Sequence, residues 1–166
     1  KEGQIRPVAY HPDGTTFASG GSDLAVTVWD IATGEQIVEL TALMDWLWDI
    51  AYSPNGTYLA ASASDGEIVI WEVGEFDSPY RILEGSSGGT TGLHFSPDES
   101  TMISSGTDGS VRQWNIENGS ELRRYTEHAS GAWSVTFLPE GERFISTAGD
   151  GSIIIWQGYE PLEDLM

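Results

Sequence analysis

Apolar residues come in short runs along this chain, separated by polar, glycine-bearing breaks. Trp48-Asp49-Ile50-Ala51-Tyr52 alternates sides like a half-buried strand. Pro54-Asn55-Gly56 follows as a turn, because proline fixes φ and Asn-Gly accepts positive φ. Tyr58 to Ser62 is a second strand, small and apolar. Asp65-Gly66 is a two-residue hairpin signal leading into Ile68-Val69-Ile70-Trp71. A fourth, more polar segment completes the pattern, as at Gln36–Leu40, Tyr80–Leu83 and Leu122–Tyr125. An outermost strand tolerates the arginines found there, Arg81, Arg123 and Arg124. No stretch has the period of a long amphipathic helix, so the expected class is all-β.

The pattern is one unit repeated four times. Trp29, Trp71, Trp114 and Trp156 are spaced 42, 43 and 42 residues apart, and Pro12, Pro54, Pro97 and Pro139 keep the same spacing. Around them AYHPDG, AYSPNG, HFSPDE and TFLPEG share one pattern, as do SDLAVTVW, SDGEIVIW, TDGSVRQW and GDGSIIIW. An aspartate precedes every repeat tryptophan by six residues: Asp23, Asp65, Asp108 and Asp150. A period of this length is the mark of a propeller or solenoid, and it divides the chain into units of approximately 1–42, 43–85, 86–127 and 128–166.

On these residues the sequence resembles the WD40 repeat family over essentially its whole length. Trp29-Asp30 is the literal dipeptide, replaced elsewhere by Trp71-Glu72, Trp114-Asn115 and Trp156-Gln157. The resemblance implies a β-propeller of four-stranded blades, four of them in this chain. It also implies a His–Ser/Thr–Asp–Trp network inside each blade. The fourth unit carries the full set, His128, Ser146, Asp150 and Trp156. The histidine position holds Lys1, Leu43 and Ser86 in the other units, and the serine position Ser19, Ala61 and Ser104. Asp65 is therefore expected to cap its own turn.

Propellers of this family usually close with seven or eight blades, so four leave a sheet face open at each end. Three closures remain: a twofold dimer, a longer propeller of which this chain is a piece, or a compact four-bladed ring. We expect a ring completed by another copy or another segment. The chain begins at Lys1 without Met, and its natural N-terminus is expected to lie upstream. Pro161 is expected to weaken any outer strand after Trp156.

Charge then narrows the partners. Twenty-six acidic residues against seven basic ones give −19, and the isoelectric point is near 4.1. That balance argues against phosphate-backbone binding and against adsorption to anionic membranes. Seven tryptophans, six tyrosines and five phenylalanines argue against disorder. The absence of cysteine removes disulfides, thiolate metal sites and cysteine nucleophiles. His11, His94 and His128 fall at different phases of the repeat and form no metal-ligand spacing. A Ser146–His128–Asp150 triad would be buried between strands, so no catalytic, cofactor or metal residue is assigned. Gly85-Ser86-Ser87-Gly88-Gly89 reads as an inter-blade linker.

The resemblance also implies partner docking where inter-blade loops enter the first strands. Six residues before each turn proline stand Arg6, Trp48, Thr91 and Trp133, and eight before stand Gln4, Trp46, Gly89 and Gly131. The partner-binding candidates are accordingly Arg6, Trp46, Trp48, Thr91 and Trp133. The three tryptophans either pack between blades or, if a bulge turns them outward, form an anchor surface with Arg6. Arg112 and Gln113 break an otherwise apolar strand and suggest an altered junction or a channel lining. The expected function is a non-enzymatic protein–protein interaction scaffold. Alternatives are a regulatory or sensory module of a larger multidomain enzyme, and a self-assembling propeller whose blade edges drive oligomerisation. The cellular compartment is not legible.

Overall fold

In the computed structural model, which describes residues 4–43 and 45–159, each repeat folds back on itself before the next begins. The first sheet is built from β1 (Ile5–Tyr10), β2 (Thr16–Gly21), β3 (Val26–Asp30) and β4 (Gln36–Leu40), paired in that order. The second comprises β5 (Leu47–Tyr52), β6 (Tyr58–Ala63), β7 (Glu67–Glu72) and β8 (Arg81–Glu84). The third comprises β9 (Thr90–Phe95), β10 (Thr101–Gly106), β11 (Val111–Asn115) and β12 (Glu121–Tyr125). Among the described residues the fourth has three strands, β13 (Ala132–Phe137), β14 (Arg143–Ala148) and β15 (Ile153–Gln157). All pairings are antiparallel. The Pro161 expectation lies largely outside the described residues, as does the network position at Lys1.

The turns follow from local chemistry. Gly14, Gly56 and Gly141 after the turn prolines have φ of 74°, 79° and 80°, where a side chain is disfavoured. Glu99 takes this position in the third sheet at φ 61°, and its carboxylate accepts the Asn55 N–H at 2.6 Å, tying two turns together. Leu24 likewise stands at φ 61° in the first hairpin, where the other three units have Gly66, Gly109 and Gly151.

Because strand side chains alternate, each sheet has two faces. One, the leading face, carries the residues four and two before the turn proline and the repeat tryptophan. The trailing face carries the residues one and three before that tryptophan. Three apolar clusters join the trailing face of one sheet to the leading face of the next. Val26 and Val28 meet Ile50, Leu59 and Trp71. Ile68 and Ile70 meet Leu93, Phe95 and Trp114. Ile103 and Val111 meet Val135, Phe137 and Trp156. Hydrogen bonds reinforce these junctions: Asp49 Oδ2 accepts the Leu93 N–H at 2.8 Å, and His94 Nδ1 accepts the Phe137 N–H at 3.3 Å. Burial holds the His94 imidazole below its ordinary value, which suits a neutral acceptor. Burial likewise raises the Asp49 carboxyl, despite the N–H groups of Leu93 and Ile50 that it accepts.

Candidate functional site

The inner strands β1, β5, β9 and β13 each carry an irregularity of register near their first residues. Leu47 pairs with Ala63 and Asp49 with Ser62, which leaves Trp48 as the extra residue. Ala132 pairs with Ala148 and Ser134 with Thr147, which isolates Trp133. The same slip falls at Thr91 in the third sheet and between Ile5 and Val8 in the first. Two residues before Arg6, Trp48, Thr91 and Trp133, a clamp recurs in every sheet. The carbonyls of Gln4, Trp46, Gly89 and Gly131 accept the N–H groups of Ser22, Ser64, Thr107 and Gly149 at 2.9–3.0 Å. The bulges therefore sit between a fixed clamp and a fixed ladder, and each aims one side chain off the alternation.

Those side chains converge. The Trp48 and Trp133 rings stack at 6.2 Å with 28° between their planes, linking the second and fourth sheets past the third. The Arg6 guanidinium lies 5.8 Å from the Trp46 ring and 5.8 Å from the Trp48 ring, within cation–π range. Trp46 and Trp133 are each 49% exposed, and Arg6 is exposed. Gly149 makes room for this: a Cβ there would come within 3.0 Å of Trp133 Nε1.

Thr91 goes the other way. It is buried, its hydroxyl donates to the Ala132 carbonyl at 2.6 Å, and it shares a hydrogen with Ser105 Oγ at 3.0 Å. The candidate Thr91 is thus a junction residue, because a short side chain at the bulge reaches backbone, not solvent. Strand alternation alone would have set Trp48 in phase with Ile50 and Tyr52. The bulge breaks that phase.

The hairpin aspartates line the same face of the array. In the fourth sheet His128 Nε2 is 2.6 Å from Ser146 Oγ, and Trp156 Nε1 donates to the same oxygen at 2.7 Å. Asp150 does not complete the chain by bonding the imidazole directly. Its Oδ2 is 3.9 Å from His128 Nδ1, which pairs instead with Ser152 Oγ at 2.8 Å. Asp150 accepts the Ser152 and Ala129 N–H groups, at 2.8 and 2.7 Å. The Ser152 hydroxyl and backbone, then Ala129, bring its carboxyl down to about 2.

Elsewhere the network is shorter. Trp29 donates to Ser19 Oγ and Trp114 to Ser104 Oγ, each at 2.9 Å. Asp65 accepts the Glu67 N–H at 3.0 Å and caps its own turn, and Trp71 is buried beside Ala61. The Asp23 position occupies the corresponding hairpin of the first sheet. Ser146 is fully buried, so a substrate has no path to its hydroxyl.

The polar pair in β11 divides between the two faces of its sheet. Arg112 is buried against Asp108 at 2.7 Å and Glu121 at 3.4 Å. Burial would raise Asp108, but the Arg112 hydrogen bond and the Ser110 hydroxyl and N–H outweigh it and hold that carboxyl well below the usual range. Gln113 Oε1 accepts the Tyr125 hydroxyl at 3.2 Å and the Tyr159 N–H at 2.7 Å, anchoring the segment after β15.

Asp108 and Asp150 have folded values below the ordinary 3.8, so the stability they lend is complete above about pH 4 and is lost as pH falls toward 2. Asp49 and Glu67, raised first by burial, act in the opposite sense. Melting temperature is expected to fall below pH 4 in an acid series, and less steeply in Asp150→Asn. Among the described residues no group of three or more His, Cys, Asp or Glu side chains could hold a metal ion.

Comparison with known proteins places this geometry. The family model described as "WD domain, G-beta repeat" matches residues 5–30, 34–72, 77–115 and 119–157. From the second match onward, each runs from the outer strand of one sheet through the third strand of the next. Human Pre-mRNA-processing factor 17 is 26% identical over 162 residues, covering 96% of this chain and 20% of that protein. Protein groucho of Drosophila melanogaster is 28% identical over 144 residues, covering 86% of this chain and 20% of its own length. A Ribosome biogenesis protein WDR12 homolog of Chlamydomonas reinhardtii is 27% identical over 110 residues, covering 54% of this chain and 25% of that protein. The chain thus spans a quarter or less of the length of these relatives.

Proposed function

The chain belongs to the WD domain, G-beta repeat family, and from that premise we propose that it is a non-enzymatic scaffold that captures a protein partner on the face carrying Arg6, Trp46, Trp48 and Trp133. The observation that carries this reading is the convergence of four bulge-region side chains from three blades, two of them half-exposed tryptophans. Tryptophan and arginine dominate binding hot spots because they supply a large contact area with few rotors or a planar donor fork. Single exposed apolar residues are ordinary on a surface, but three clustered indoles are not.

The partner is a protein segment with basic side chains. A chain of −19 draws cations toward its surface, and an arginine or lysine from outside can share the indole faces that Arg6 now covers. The same charge opposes nucleic acid and anionic membranes as partners. The four aspartate–tryptophan hairpins, at Asp23, Asp65, Asp108 and Asp150, have the supporting role of holding the clamp that fixes the bulges.

An array of immobilised peptides, differing only in Arg/Lys or Asp/Glu at central positions, tests this. Wild-type chain is expected to be retained by the basic set, and Trp46→Ala/Trp133→Ala to lose at least about tenfold in affinity, as for a hot-spot pair. Stability should change by no more than about 0.5 kcal/mol for Trp46→Ala, as for a surface position. Equal retention of the double variant, or preference for acidic peptides, contradicts the proposal.

A further inference from the structure

The second and third blades have four strands each, and a cleft of about 470 Å³ opens between them beside the Asp65 hairpin. The segment joining the two blades lines it and is held in place. The Gly85 N–H and the Thr90 hydroxyl both donate to the Gly66 carbonyl, at 3.0 and 2.8 Å, and the Ser86 N–H donates to Thr90 Oγ1 at 3.1 Å. The two walls differ in charge: Asp65, Glu67 and Glu84 belong to the second blade, Arg112 and Arg124 to the third. Both guanidiniums are already taken, Arg112 by Asp108 at 2.7 Å and Arg124 by Glu121 at 2.8 Å. Among the described residues no ion pair reaches Asp65, Glu67 or Glu84. The two glutamates also depart from the repeat. Four residues before the repeat tryptophan the other blades have Ala25, Ser110 and Ser152, and the Ser110 hydroxyl donates to its hairpin aspartate at 2.7 Å. Glu67 sets a carboxylate there beside Asp65, and the residue across the ladder from it is Glu84. Thr41 and Thr126 follow the corresponding outer-strand residues Leu40 and Tyr125. Like charges directly opposite each other weaken a sheet. Two buried side-chain atoms of cleft-lining residues, Glu67 Oε2 and Arg112 Nε, have no hydrogen-bond partner, and Arg112 is only 3% exposed. An orphaned acceptor and an orphaned donor at one cleft call for an occupant that serves both.

We propose that this cleft receives the side chain of a lysine from a protein partner, with its ammonium held by Asp65, Glu67 and Glu84. The occupant has to bring positive charge and N–H donors to the carboxylate wall and an acceptor to Arg112. A lysine within a peptide does both, through its ammonium and its main-chain carbonyls. A bare metal ion brings no acceptor, and among the described residues no group of three His, Cys, Asp or Glu side chains could hold one. An anion is opposed by the carboxylates, which with Asp108 and Glu121 number five against two guanidiniums. An arginine is disfavoured, because its broad guanidinium would meet Arg112 and Arg124, whereas a compact ammonium stays beside the carboxylates. Glu67 presents its oxygen by turning the carboxylate about its last torsion, which is soft. A bound ammonium relieves the opposition of Glu67 and Glu84 and lowers the Glu67 carboxyl, which burial and then Asp65 raise. The site stands on the geometry of the cleft. That the lysine comes from a protein partner rests on the function proposed above.

Titration with n-butylammonium, which is the lysine side chain alone, is expected to move the amide signals of Asp65, Glu67, Glu84 and Ser87 saturably in nuclear magnetic resonance spectra. Propionate should move none of them, and methylguanidinium should bind more weakly than butylammonium. Glu67→Gln/Glu84→Gln should weaken butylammonium by at least about tenfold, as for the loss of charge-assisted hydrogen bonds. The same variant should melt no lower than the wild type, because it removes two opposed charges. Lysine-bearing peptides of the basic set should lose affinity for it by a similar factor. The inference is overturned if butylammonium gives no saturable shift, if propionate binds in its place, or if the glutamine variant melts lower. Tighter binding of methylguanidinium would overturn the choice of lysine. Peptide capture that is lost in Trp46→Ala/Trp133→Ala but unchanged in the glutamine variant would overturn this inference and leave the docking reading in place. Butylammonium shifts with no peptide retained would support the site and overturn the docking reading.

Discussion

Replacing Trp71 with alanine is expected to lower stability by about 3–5 kcal/mol, the cost of emptying a large, fully packed site in a core. Trp71 is fully buried on the leading face of the second blade, where it joins Val26, Val28 and Leu40 of the first blade to Leu59 and Ala61 of its own. Alanine would remove the indole from a cluster spanning two sheets, and neither sheet can move inward to fill the space without breaking its own ladder. Trp46, in the same repeat, is half-exposed and outside every buried cluster. Chemical denaturation of the two alanine variants should therefore show a large fall in midpoint for Trp71→Ala and almost none for Trp46→Ala. Comparable losses would mean that Trp46 is a core residue and that the surface reading is wrong.

Ser146→Ala is expected to cost about 2–4 kcal/mol, more than alanine at the equivalent serine of the first or third blade, because it orphans two buried groups at once. Ser146 Oγ serves Trp156 Nε1 at 2.7 Å and His128 Nε2 at 2.6 Å, and no water can reach either nitrogen's partner position in a fully buried site. Ser19→Ala and Ser104→Ala each release one tryptophan N–H and should cost about 1–2 kcal/mol. The comparison is read from urea midpoints of the three variants. If Ser146→Ala costs no more than Ser104→Ala, the imidazole contributes nothing to holding the fourth blade.

The periodicity was legible because it reports turns and buried tryptophans, which depend on residues close in sequence. Pro54-Asn55-Gly56 and Asp65-Gly66 specify their own backbone, so β6 and β7 fall within a residue or two of their expected limits. What sequence could not show was which way a side chain turns once alternation breaks. A bulge at Trp48 was one of two readings, and only the pairing of Leu47 with Ala63 and Asp49 with Ser62 decides between them. Thr91 occupies the same repeat position as Trp48 and Trp133, yet it is drawn inward by the Ala132 carbonyl of the next blade, a contact 41 residues away. The link from Asp150 to His128 failed for a similar reason. Ser152, two residues on, offers the imidazole a closer oxygen, and a histidine–serine–aspartate spacing does not register that competitor. The signal for Trp133 was present in Gly149, whose missing side chain leaves space for the indole, but its meaning depends on a neighbour from another strand.

The acidic excess is a property of the surface. Setting aside the Arg112–Asp108–Glu121 cluster leaves six basic side chains against 24 acidic ones. Under the proposed function that field and the aromatic cluster act on the same kind of partner, and the chain carries its own reporters for both. Its seven indole N–H groups divide into Trp46, Trp48 and Trp133 of the aromatic cluster and Trp29, Trp71, Trp114 and Trp156 at the repeat positions. The most direct measurement is a nuclear magnetic resonance titration of those seven signals with an arginine-centred peptide drawn from the retained set. The account predicts that the signals of Trp46, Trp48 and Trp133 shift together while the four blade indoles stay in place. Shifts confined to the blade indoles, or spread evenly over all seven, would contradict it.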